Sequence, residues 1–183
     1  MAKNNKQLSW AGFTLIEILV VAGIAGFIAT TVIINFSRTR LDLNETAYIL
    51  VSDMRNAQAQ AASSVKYGGV LRCGYGIRYI DSVSYAVYAG PSTASTDCTA
   101  QNRNFGAEDI VSSTKNFLDT RVEFKSSFND IFFEPPDPKT YLNNNAALGL
   151  SQIITIGKIN GSCPSNCKTI TIYTSGKIDD KTR

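Results

Sequence analysis

From Phe13 to Phe36 the chain reads FTLIEILVVAGIAGFIATTVIINF, 24 residues in which Glu17 is the only ionisable side chain. As a helix the run is about 36 Å long, enough to cross a bilayer. It exceeds the apolar core of a cleavable secretory signal, and no small-residue cleavage site closes it. Lys3 and Lys6 precede it, with no acid among the first 12 residues. The N-terminus is therefore expected in the cytoplasm and everything after Phe36 outside it. A plain membrane anchor accounts for all of this except Glu17. A carboxylate in the apolar zone costs about 3 kcal/mol and normally has a partner. No Lys, Arg or His lies within two turns of it.

A cut between Gly12 and Phe13 supplies a partner. Phe13 would then carry a free ammonium, and Glu17 would be the fifth residue of the mature chain. It could pair with the terminal amine of a neighbouring, axially staggered subunit, so that its charge is neutralised only in the assembly and sets the register. Gly12-Phe13-Thr14-Leu15-Ile16-Glu17, behind a short basic leader and before a long apolar helix, resembles the prepilin signature of type IV pilins and type II secretion pseudopilins. The resemblance implies cleavage after Gly12 by a prepilin peptidase, N-methylation of Phe13 and assembly through Glu17. It also implies a single-pass inner-membrane subunit whose partners are other pilin or pseudopilin subunits, an inner-membrane assembly platform and membrane lipid. The sequence departs from many major pilins in one respect: Thr30-Thr31-Val32-Ile33-Ile34 contains no proline.

Beyond Phe36, Leu43, Ala47, Leu50, Met54, Ala57, Ala61 and Val65 recur every three or four residues, one apolar stripe of an amphipathic helix. Asp42, Glu45, Asp53, Arg55, Asn56 and Gln60 lie opposite. Lys66 with Gly68-Gly69 is expected to end the helix. The remainder is strand-rich: 70–73, 76–80, 84–88, 121–125, 130–134, 153–157 and 169–173 read as strands, the last two joined through an Asn160-Gly161 turn. Residues 89–106 and 135–147 are expected to be exposed loops. The predicted organisation is a leader (1–12), a membrane and assembly helix (13–36), its amphipathic continuation (37–66) and a β-rich head (67–183). The fold class is α+β, with the helix on one antiparallel sheet in a type IV pilin-like arrangement. "VSDMRNAQAQAASS", "IFFEPPDP" and "TITIYTSGKI" are similar to the GspH/FimT group of pseudopilins and minor pilins.

Four cysteines in an extracytoplasmic head imply two disulfides. Three pairings are open; Cys73–Cys98 and Cys163–Cys167 are favoured. The alternative, a four-thiolate zinc site, needs two close pairs, and Cys73 and Cys98 are not one. The chain has no histidine, which removes the commonest general base and metal ligand. With no nucleophile motif either, an enzyme is not expected, nor a cofactor or metal. The net charge of +3 resides largely in the leader. A C-terminal cluster of Lys158, Lys168, Lys177, Lys181 and Arg183 raises a second reading, DNA binding at a filament tip, as in some FimT-like minor pilins. Asp179 and Asp180 interrupt it.

Overall fold

The computed structural model describes residues 14–136 and 138–181; the side chains of residues 32–42 and of Lys181 lie outside that description. The fold is α+β, and the chain divides into two compact units, 1–40 and 41–183. One helix, α1 (Leu15–Ala62), contributes to both.

In the first unit no proline interrupts α1. The hydroxyls of Thr30 and Thr31 bond back to the carbonyls of Phe27 and Ile28, at 2.8 Å each, so the polar groups in this apolar stretch are satisfied locally. Its described large side chains are exposed: Leu15 is 81% exposed and Phe27 71%.

In the second unit the expected stripe is real. Leu43, Ala47, Leu50, Met54, Ala57 and Ala61 are all buried, because the 3.6-residue period puts them on one face. They enter a single core with the inward residues of two antiparallel sheets. The larger sheet contains β3 (Tyr75–Asp81), β4 (Ser84–Ala89), β5 (Ile110–Asn116), β7 (Ile131–Glu134) and β8 (Lys139–Leu142), in the order β5-β4-β3-β7-β8. The smaller contains β6 (Val122–Phe124), β9 (Ser151–Lys158), β10 (Cys167–Tyr173) and β11 (Ile178–Lys181), in the order β11-β10-β9-β6. The β9–β10 hairpin is in the register Thr169↔Thr155 and Ile170↔Ile154. Asn160 takes a φ of 60° in its connection, a left-handed conformation that asparagine tolerates.

Four expectations are corrected. The single sheet is replaced by two core sheets and a separate two-stranded ribbon; β6 pairs with β9 and not with the β3–β4 hairpin. The helix stops at Ala62, and Ser64 turns left-handed with φ 46°. Val65 thus leaves the stripe and is 42% exposed. Lys66–Tyr67 (β1) instead pairs with Val70–Leu71 (β2), and Gly68-Gly69, with φ of 61° and 80°, make the two-residue turn between them. Within 135–147, Lys139–Leu142 is a strand whose Thr140, Tyr141 and Leu142 are buried.

The fourth correction concerns residues 89–106, which act as a cover for the outer face of the larger sheet and are not simply an exposed loop. Side-chain alternation sends Phe133 and Ile131 to the main core, but Phe132, Tyr88 and Tyr141 to the opposite face. Those rings need their own shield, and Phe105 and Ala146 pack on them. Gln101, within the same segment, is buried.

Candidate functional site

Gly12 and Phe13, the expected processing site, lie outside the described residues, as does Arg183. The residue next to them is informative. Thr14 caps α1: the Glu17 amide donates to Thr14 Oγ1 at 3.3 Å, while Glu17 Oε2 accepts from the Thr14 amide at 2.8 Å and the Thr14 hydroxyl at 2.9 Å. This is a reciprocal capping box, which satisfies donors that the first helical turn leaves open. Glu17 therefore has a local partner, although no cation. The T-x-x-E spacing before an apolar run is the sequence signal for it, and reading Glu17 only as a charge in search of a counter-ion overlooks it. The predicted span 13–36 extends past the described side chains at both ends. Among the described residues no helix is long and apolar enough to cross a membrane.

Both favoured disulfides are present, Cys73–Cys98 and Cys163–Cys167. All four cysteines are consumed by them, in separate places, instead of converging as a four-thiolate site. Cys73–Cys98 pins the covering segment to the start of β3. Arg103 completes the clamp: its guanidinium donates to the carbonyls of Gln101 (2.6 Å), Cys98 (3.1 Å) and Thr99 (3.1 Å). It also pairs with Glu134 at 3.3 Å and lies 4.6 Å over the Tyr141 ring. At the far end of the cover, Phe105 N–H donates to Asp130 at 2.7 Å and Gly106 N–H to Asp109 at 2.6 Å.

Asp109 carries a consequence for pH. Half-burial pushes its carboxyl above the ordinary value, the nearby Asp130 and Glu108 charges add to that, and the Gly106 hydrogen bond opposes it. The folded state thus holds this proton more tightly than the unfolded chain. Ionised Asp109 is a stability penalty that grows as pH rises through the window between the two values and is absent below it. Asp109→Asn keeps an acceptor for Gly106 and loses the charge. It is expected to raise the denaturation midpoint at about pH 7 and to leave it unchanged at about pH 3, measured by urea unfolding at both.

The basic cluster is not assembled as one patch. Lys168 is an inner-face residue of β10, only 8% exposed. Its ammonium lies between Asp180 (2.9 Å) on β11 and Asn44 (3.1 Å) on α1. Lys177 pairs with Asp179 at 2.8 Å. Lys158 is partly buried, and the Lys181 side chain is outside the description. On the helix, Asp53 is not merely solvated: it accepts from the Tyr85 hydroxyl at 2.6 Å. Burial first, and this carboxylate second, push the Tyr85 phenol far above its ordinary value. Among the described residues no cluster of His, Cys, Asp or Glu could hold a metal ion.

No protein-family model, no curated protein and no solved structure matches this chain.

Proposed function

We propose that the protein is a structural subunit of a filament, a minor pilin or pseudopilin of a type IV pilus or type II secretion pseudopilus. It is processed after Gly12, methylated on Phe13 and assembled through its N-terminal helix. Before assembly it is a single-pass protein of the inner membrane with its head outside the cytoplasm. The observation that carries this function is the first unit of the chain. The part of α1 in that unit presents an apolar surface exposed at every described position, and Glu17, its one carboxylate, sits in the first turn, five residues after Gly12 in the sequence. Such a surface needs lipid or other copies of the same helix to cover it. The Thr14 bonds engage Oε2 of Glu17 and keep the carboxylate satisfied in the single subunit. The neighbour's Phe13 ammonium then adds a charge partner that exists only in the filament.

Glu17→Gln tests this directly. The amide oxygen still accepts from Thr14, so the helix still starts, but the charge is gone. The variant is expected to reach the membrane at the normal level and to fall at least about tenfold in filaments sheared from the native host, read by immunoblot. Incorporation equal to the unaltered subunit overturns assembly through Glu17.

DNA capture at a filament tip, the second reading, draws less support. Two of its five candidate cations, Lys168 and Lys177, are already neutralised by Asp180 and Asp179, and phosphate binding depends on cations that can release their counter-ions.

A further inference from the structure

The two disulfides differ in the exposure of one sulfur and in the length of the loop each closes. Cys73 is 1% exposed, whereas Cys163 is exposed; Cys98 and Cys167 are both half-buried. A 25-residue separation divides the first pair and a separation of 4 the second. The short loop contributes least to the stability of the fold, so its opening costs the head least. Beside the second pair the outer face of the smaller sheet carries a hollow of about 390 Å³, lined by Ile153, Thr155, Thr169 and Thr171 as well as both cysteines. It gives an incoming thiol access to the sulfurs.

The Lys125 side chain passes near the sulfur of Cys167. At Gly157 on β9, the position a Cβ would take is 2.7 Å from Cys167 Sγ and 2.7 Å from Lys125 Cε. The two atoms therefore share the space above one glycine and are separated by at most twice that distance. The Lys125 ammonium itself bonds the Glu123 carboxylate at 2.8 Å and the Lys158 carbonyl. A neighbouring cation favours thiolate over thiol and so improves a leaving sulfur.

We propose that Cys163–Cys167 is a thiol–disulfide exchange site that takes two electrons from a dithiol while Cys73–Cys98 stays closed. A thiolate of the dithiol attacks the exposed Cys163 Sγ, the Cys163–Cys167 bond breaks, and its electron pair leaves on Cys167 Sγ beside Lys125. The second thiol of the reductant then attacks its own sulfur in the mixed disulfide. Cys163 is released as a thiolate and the reductant leaves as a disulfide. Protonation from solvent completes two thiols on the protein. Lys125 acts through Cys167 and is a positioning residue. The site does not depend on how the N-terminal helix assembles.

The test is dithiothreitol titration of the full chain in detergent, quenched with an alkylating reagent and mapped by peptide mass spectrometry, with far-UV circular dichroism to follow the fold. Alkylation confined to Cys163 and Cys167, with Cys73–Cys98 intact and the fold retained, is the expected result. Lys125→Gln is expected to slow the exchange about fivefold and Lys125→Arg to restore it. Should Lys125→Gln fail to fold, Glu123→Gln, which removes the competing carboxylate, is expected to accelerate exchange in its place. Reduction of both pairs together, reduction of Cys73–Cys98 first, or rates indifferent to the charges at 123 and 125 would overturn the proposal.

Discussion

Replacing Cys73 and Cys98 together by alanine is expected to cost the head about 3.5 kcal/mol, against about 2 kcal/mol for the same change at Cys163 and Cys167. The difference follows from sequence separations of 25 and 4, since closing a longer loop removes more freedom from the unfolded chain. The first pair also fastens a cover. Without it, residues 97–106 are held over Tyr88, Phe132 and Tyr141 by non-covalent contacts alone, among them those of Arg103, the Phe105 bond to Asp130 and the Asn104 bond to Asn143. Urea denaturation of the two double variants, followed by tryptophan-independent far-UV circular dichroism, gives both values. Equal losses, or a larger loss from the short loop, would refute the assignment of Cys73–Cys98 as the principal staple.

Gly74→Ala is expected to be as damaging, at about 3 kcal/mol or an outright failure to accumulate folded protein. A Cβ there would lie 2.6 Å from two Phe132 ring carbons and closer still to the backbone carbonyl of Phe133. A ring can turn, but the Phe133 carbonyl belongs to β7, next to β3 in the larger sheet, and cannot move without distorting the sheet. Gly106→Ala is the matched control, because its Cβ meets nothing nearer than 3.8 Å; it is expected to change stability by less than about 1 kcal/mol. Thermal midpoints of the two variants separate local overpacking from a general cost of losing glycine.

These glycines also mark where the sequence becomes hard to read. Gly74-Tyr75-Gly76 looks like a fragment of a ligand loop, yet in the structure it clears room for Phe132 and Tyr88, residues distant in sequence. The stripe from Leu43 to Ala61 is legible because one helical period governs it throughout. Val65 escapes because a single left-handed residue, Ser64, ends that period. β8 is hidden between Pro138 and Asn143-Asn144-Asn145, which read as loop. β5 shows no alternation because both of its faces are largely exposed at the sheet edge. The Cys163–Cys167 pair is legible from proximity along the chain, and Cys73–Cys98 is then the pairing left over. Lys168, by contrast, is misread when basic residues are simply counted. It shares the parity of Ile170 and Ile172, so strand geometry turns it inward with them, towards Asn44. The capping function of Glu17 was visible as T-x-x-E, while its proposed second partner belongs to another molecule and leaves no trace in a single chain.

Everything proposed for the N-terminal helix rests on a new amine at Phe13. Intact-mass spectrometry of the protein recovered from membranes of its native host tests that in one spectrum. The predicted result is a chain lacking residues 1–12 and heavier than the unmodified remainder by one methyl group. A mass corresponding to the uncut chain from Met1 would contradict the account: Glu17 would have no ammonium to meet, and Thr14 would be its whole explanation.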